Sequence, residues 1–296
     1  MLRIGIVGSE SSHAMQFAKY FNLPDPSTGE DFHPDIRVTA IMGDPESARR
    51  TAEQAQVLHV AGSLEELVDT VDAVMITSRR GSEHVAQAMP FIEKGMPLFI
   101  DKPFTSDLAE ARELALALQQ RNCPVLGGSG CKYSPSVQRI KELVAPLVAE
   151  RKLLTASLDF SIMLDSIYDG FYFYAPHLVE ICLEIFGTDI EAVQAVKTEK
   201  SLVANVVYPG FIVSLHFVTE VWEHTCTLIT EEGTKVVPLD TVGSLEEAAA
   251  RFVKLLHGEF DSMGAQELVL PNAVIDAILR AAATGKTIIF TKEVLE

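Results

Sequence analysis

Apolar and polar positions repeat along this chain in two registers, and the change from one to the other divides it. Over residues 1–128, short apolar runs (Arg3 to Val7, Arg37 to Met42, Val57 to Val60, Ala73 to Thr77, Leu98 to Ile100, Val125 to Leu126) are separated by helically spaced stretches. These stretches begin near His13, Pro45, Ser63, Ser82 and Asp107. Strands alternating with helices predict a parallel sheet with helices on both faces. Helix starts are signalled locally: Asp44 precedes Pro45 as an N-cap, Ser63 pairs with Glu66, and Asp107 pairs with Glu110. Asn22 to Asp35 breaks the rhythm with three Pro, one Gly and three Asp, and reads as a surface excursion.

After Gly127-Gly128-Ser129-Gly130 the texture changes. A helix from Ser134 to about Glu150 leads to a long strand, Leu153 to Leu164, and to a helix from Ala175 to Phe186 closed by Gly187. Strand-like runs then follow one another at Ala192–Thr198, Leu202–Val207, Phe211–Val218, Cys226–Thr230 and Lys235–Val237. Pro209-Gly210 and Glu232-Gly233 serve as hairpin turns. Successive strands without crossover helices argue an antiparallel or mixed sheet. The expectation is an α/β domain with a Rossmann-type parallel sheet over 1–128 and an α+β domain over 129–296. Two helices, Leu245–His257 and Ala265–Thr284, and a short strand near Ile288 complete the second domain.

Charge narrows the partners. With 24 Lys plus Arg against 41 Asp plus Glu the net charge is 24 − 41 = −17, and the densest basic run is Arg79-Arg80. Nucleic acid and anionic membrane surfaces are bound through clustered cations, so neither is expected here. No apolar run approaches the ~18 residues a membrane span needs, and the N-terminus reads as a strand instead of a leader. The four cysteines lack metal-ligand or CxxC spacing. They read as reduced thiols of a cytoplasmic protein, with no metal site.

The first turn carries the most chemistry. A strand, a glycine turn and a helix can place a nucleotide pyrophosphate on backbone amides at a helix N-terminus. Against G-x-G-x-x-G/A beginning at Gly8, the second glycine is Glu10 and the third is His13. Ser9, Ser11 and Ser12 offer hydroxyl and amide donors in compensation. At the end of the second strand, Met42 and Gly43 stand where a ribose-binding acid belongs. Asp44, just beyond, reads either as that acid or as an N-cap.

Further on come Val71-Asp72-Ala73-Val74-Met75-Ile76-Thr77-Ser78, then His84, then Glu93-Lys94-Gly95-Met96-Pro97-Leu98-Phe99-Ile100-Asp101-Lys102-Pro103-Phe104. Together with Phe171-Tyr172-Phe173-Tyr174-Ala175-Pro176-His177-Leu178-Val179-Glu180, this resembles the glucose-fructose oxidoreductase / inositol dehydrogenase / MocA family, over nearly the whole chain. The resemblance implies an NAD or NADP cofactor held by the first domain and an active site between the two domains. It implies Lys102 and His177 as catalytic residues, with the bond before Pro103 cis, and Thr77, Ser78, Arg79, His84, Asp101 and Pro103 near the cofactor. A lysine at a strand end is partly desolvated, which lowers its pKa toward useful proton exchange. Lys132, Tyr172 and Tyr174 are the candidate substrate contacts. The family's D-x-x-x-H carboxylate is replaced here by Phe173.

The sequence therefore reads as an NAD(P)-dependent oxidoreductase of a sugar-like or polyol substrate, a small molecule, working as a homodimer or homotetramer. The alternative is a non-redox relative that senses a small molecule, suggested by Glu10, Met42 and Phe173.

Overall fold

The computed structural model describes residues 1–220 and 223–291. The chain forms two compact units. The first contains Met1–Gly128 and also Leu245–Leu268, a segment that the sequence pattern places in the second domain.

In the first unit β1 (Leu2–Val7), α1 (Ser12–Asn22), β2 (Ile36–Met42), α2 (Pro45–Gln54), β3 (His59–Val60), α3 (Leu64–Thr70), β4 (Ala73–Ile76), α4 (His84–Glu93), β5 (Leu98–Asp101), α5 (Leu108–Gln120) and β6 (Val125–Gly128) alternate. All six strands run parallel in the order β3-β2-β1-β4-β5-β6. The order reverses beside β1, the point at which open α/β sheets bind ligands at their carboxyl ends. β4 and β5 are buried at every position, as a strand covered on both faces must be. The predicted caps form as read: Asp44 accepts from the amide of Ser47, Ser63 from Glu66, and Asp107 from Ala109 and Glu110. Phe99 packs edge-on against Phe17 at 5.3 Å and Phe252 at 5.8 Å, which fixes α1 and the returning segment to β5. Truncating a buried Phe of this kind costs about 3–5 kcal/mol. The excursion is ordered by Arg37, whose guanidinium donates to Asp31 and to the carbonyls of Phe21 and His33.

The second unit contains Ser129–Ser244 and Val269–Glu296, of which 129–220, 223–244 and 269–291 are described. Its elements are α6 (Pro135–Ala149), β7 (Leu153–Ser161), α7 (Ala175–Phe186), β8 (Ala192–Lys197), β9 (Ser201–Tyr208), β10 (Phe211–Val218), β11 (Thr225–Thr230) and β12 (Gly233–Pro238). α8 (Ser244–Leu256), most of which belongs to the first unit, α9 (Ala265–Thr284) and β13 (Ile288–Ile289) follow. The seven-stranded sheet runs β12-β11-β7-β10-β9-β8-β13 and is mixed, because β10 lies parallel to β7 while its other pairings are antiparallel. Strict alternation along β9 and β10 puts Leu202, Val206, Val213, Leu215 and Phe217 into the core. The other face is half-exposed.

Candidate functional site

In the first unit the site is built at the carboxyl ends of β1, β4 and β5. Gly8 follows β1 with φ +97°, and a Cβ built there would come within 2.2 Å of the Ser78 nitrogen, so only glycine fits. Thr77 is buried and its hydroxyl donates to the carbonyls of Val7 or Gly8, bracing the turn from β4. The amides of Gly8 and Ser9 donate to the Met42 carbonyl. Ser9 is buried with its hydroxyl on Ser47 and the Asp44 carbonyl, and Ser11 caps the amide of His13. These two hydroxyls therefore hold the turn together instead of facing a phosphate. Ser12, the first helical residue, is exposed. Asp44 resolves as the N-cap of α2: its carboxylate accepts from the Ser47 amide and hydroxyl, and these bonds hold it below the ordinary carboxylate range.

Glu10 replaces the second fingerprint glycine, and its Oε1 accepts a hydrogen bond of 3.2 Å from the Arg79 amide. A carboxylate of the chain itself thus takes a backbone donor at the end of β4 that an anionic ligand would otherwise use.

His84 is fully buried, with Nε2 2.9 Å from the Ser78 carbonyl and Nδ1 3.3 Å from the Phe104 carbonyl. A neutral ring has one N–H and the shorter bond claims it. Burial lowers its pKa below the usual histidine value. Expected beside the cofactor, His84 instead ties the segment after β4 to the segment after β5.

The D-K-P tripeptide stands at the end of β5. The Lys102–Pro103 bond is cis, Lys102 is 7% exposed, and Pro103 packs against Gly81. Asp101 is 1% exposed, and its Oδ2 lies 2.6 Å from Nδ1 of His13. Burial by itself pushes the Asp101 carboxyl up, but the His13 imidazole and then the Lys102 charge more than offset it, so its pKa falls below the ordinary range.

In the second unit, His177 is the third residue of α7. Its Nδ1 lies 2.7 Å from the Ser129 hydroxyl and 3.3 Å from the Cys131 sulfur. Phe173, where the family has its carboxylate, is buried among Tyr168 and Tyr174. One turn after His177, Glu180 is buried and bonds the Ser129 amide at 2.8 Å with one oxygen and the Lys132 ammonium at 2.8 Å with the other. Lys132, expected at the substrate, is thus a buried ion-pair partner. Tyr172 and Tyr174 are half-buried and pack against the hydrophobic core, with the Tyr174 ring 6.3 Å from that of His177. Glu180 lies within the α7 motif, and the motif alone assigns it no role. The i, i+3 spacing from His177 was the signal that would have found it.

For a dinucleotide, the residues of the first unit fit: a positive-φ glycine at the end of β1, a helix of 11 residues starting at Ser12 just beyond the turn, and a buried lysine at the end of β5, with β4 between the two strands. Among the described residues, no group of three His, Cys, Asp or Glu is placed to hold a metal ion. No helix is long and apolar enough to cross a membrane.

Comparison with known proteins agrees with this architecture. Residues 2–129 match the Gfo/Idh/MocA family, described as an oxidoreductase family with an NAD-binding Rossmann fold. A UDP-N-acetylglucosamine 3-dehydrogenase of Acidithiobacillus ferrooxidans is 30% identical over 155 residues, covering 51% of this chain and 48% of that protein. Dehydrogenase aclE of Aspergillus oryzae is 28% identical over 149 residues, covering 48% of this chain and 40% of that protein. The matched segment thus spans less than half the length of these curated relatives. Among solved structures, GenD2 from gentamicin A biosynthesis in complex with NAD superposes with a TM-score of 0.82 at 19% identity, covering 98% of this chain and 96% of that one. The myo-inositol dehydrogenase of Lactobacillus casei in complex with NAD(H) and myo-inositol gives 0.78 at 14%, covering 98% and 97%. At such identities the structural likeness speaks for the fold.

Proposed function

We propose that this chain, which belongs through its residues 2–129 to the Gfo/Idh/MocA family of oxidoreductases, is an NAD(P)-dependent dehydrogenase of a sugar-like or polyol substrate. The observation that carries the reading is the buried Lys102 beside the buried Asp101 at the end of β5, with only β4 between it and β1, the strand that ends in the Gly8 turn. A bound nicotinamide would supply the two-electron acceptor, taking a hydride from the carbinol carbon. The Gly8 turn and the N-terminus of α1 would hold its pyrophosphate. Lys102 accepts the hydroxyl proton as the carbonyl forms, and Asp101 stabilises the ammonium that results. In the second unit, His177, aimed by Ser129, is the other residue with a catalytic role. The substrate class is supported by the names of the relatives, which act on a nucleotide sugar and on myo-inositol.

The protein works in the cytoplasm as a homodimer or homotetramer. All four cysteines are free, and burial pushes the thiols of Cys182 and Cys226 up to about 12. The half-exposed face of the second sheet, with Ile212 and Ile229 outward, is the surface offered for pairing. A panel of sugars, sugar acids and cyclitols, incubated with either dinucleotide, tests the activity: turnover of at least one supports it, and no turnover with any argues against it.

A second reading, a small-molecule sensor without turnover, is favoured by the Glu10 carboxylate on the Arg79 amide. Saturable binding of a polyol without binding of a dinucleotide would decide for it.

A further inference from the structure

His13 stands where the fingerprint has its third glycine, at the second residue of α1, and its side chain turns to β5. The Asp101 carboxylate that it meets at 2.6 Å is buried, and the other oxygen, Oδ1, has no hydrogen-bond partner. His13 is thus the one side chain that hydrogen-bonds this anion among the described residues. A carboxylate accepts from Nδ1–H, which fixes the tautomer of the neutral ring and leaves Nε2 with its lone pair. No other polar side chain bonds that ring among the described residues, and 20% of the side chain stays exposed. Phe17 sets the ring edge-on at 6.4 Å. A buried carboxylate behind an imidazole whose far nitrogen is open is the arrangement that turns histidine into a general base.

We infer that Asp101 and His13 form a dyad whose Nε2 accepts a hydrogen bond from a hydroxyl of the ligand bound at the carboxyl ends of β1 and β5. The inference rests on the dehydrogenase reading and adds to it a hydrogen-bond acceptor for a ligand hydroxyl, carried by the phosphate-turn helix itself. Lys102 takes the proton of the reacting hydroxyl, and Nε2 of His13 accepts a hydrogen bond from a further hydroxyl of the bound ligand, whose O–H bond stays intact. The arrangement also accounts for a histidine in a position where the fingerprint requires none: a side chain there reaches the D-K-P strand, and a glycine could not.

The test labels the full chain with diethyl pyrocarbonate near neutral pH and follows each histidine by peptide mass spectrometry. The Nε2 lone pair attacks the reagent carbonyl, forming an N–C bond while ethyl carbonate leaves. His13 should be acylated about fivefold faster in the wild type than in Asp101→Asn, because the variant no longer holds the tautomer. NADH should slow the labelling about tenfold at saturation. Protection by NADH alone assigns the hydroxyl to the cofactor ribose, and protection that also needs myo-inositol assigns it to the substrate. Nitrogen-15 histidine NMR of the wild type reads the tautomer without any substitution: a protonated Nδ1 with an unprotonated Nε2 supports the dyad, and the reverse overturns it. Labelling of His13 unaffected by either ligand, in a chain whose NADH binding fluorescence has established, also overturns it. If neither NADH nor NADPH binds, the dehydrogenase reading fails on that measurement, while tautomer and variant rates still decide the dyad.

Discussion

The hydroxyl of Ser129 lies 2.7 Å from Nδ1 of His177, and the same oxygen accepts a bond from the amide of Cys131. An oxygen that accepts from one amide still has its own proton to give, so Ser129 can donate to the imidazole. The carboxylate that the D-x-x-x-H pattern puts four residues earlier is replaced here by Phe173, buried in an aromatic cluster. Ser129 therefore orients His177 without placing a fixed negative charge beside it. Glu180 secures the serine by accepting its backbone amide.

Ser129→Ala is expected to lower turnover of any oxidised polyol about tenfold while costing only ~1 kcal/mol of stability, the value of one neutral hydrogen bond. Steady-state kinetics beside urea unfolding checks both. Unchanged kcat would remove Ser129 from the account.

The Lys132–Glu180 pair is buried on both sides. Lys132→Met leaves the carboxylate uncompensated and should cost about 3–5 kcal/mol. Lys132→Met with Glu180→Gln should recover more than half of that, because the neutral amide oxygen still accepts from Ser129. Equal losses in the single and double variants, measured by denaturant unfolding, would argue against an ion pair.

Burial lowers the His84 pKa, although the carbonyls of Ser78 and Phe104 and the charge of Asp101 pull the other way. The unfolded chain takes up this proton near the ordinary value of about 6.5 and the folded chain only at lower pH. The stability gained from keeping His84 neutral is thus present above that ordinary value and is lost as pH falls toward the folded one. The slope is at most ~1.4 kcal/mol per pH unit. Unfolding free energies of His84→Gln should be lower at neutral pH, and the difference from wild type should shrink on acidification. A constant difference would contradict this.

At the phosphate turn two substitutions should act in opposite directions. Gly8→Ala places a methyl group 2.2 Å from the Ser78 nitrogen at φ +97° and should destabilise the fold by at least ~3 kcal/mol. Glu10→Gly releases the Arg79 amide and removes a negative charge, and should tighten NADH binding about tenfold, near 1.4 kcal/mol. Calorimetric titration of NADH decides the second, and weaker binding would show that Glu10 helps the cofactor.

What could be read from the sequence was local. Asp44, Ser63 and Asp107 cap helices through amides two or three residues away, and the turns at Pro209-Gly210 and Glu232-Gly233 join antiparallel neighbours. The D-K-P tripeptide is contiguous and falls at a strand end as expected. What stayed hidden depends on separation along the chain. His13 and Asp101 lie 88 residues apart, and no pattern couples them. The return of Leu245–Leu268 to the first unit rests on contacts such as Phe252 on Phe99, which helical periodicity does not encode. The parallel pairing of β10 with β7 has no turn to announce it. Ser9 and His84 looked like ligand contacts by position, yet neighbouring strand ends claim their polar atoms.

The central claim is that the end of β5 exchanges a proton with an alcohol while a nicotinamide cofactor is held at the Gly8 turn. Its most direct test is titration of NADH and of NADPH, at up to about millimolar concentration, onto the wild-type chain and onto Lys102→Met, with polyol oxidation measured on both with NAD+ or NADP+ as the hydride acceptor. The account predicts saturable binding to both proteins and oxidation by the wild type alone. Absence of saturable binding to the wild type, or full oxidation by Lys102→Met, would contradict it.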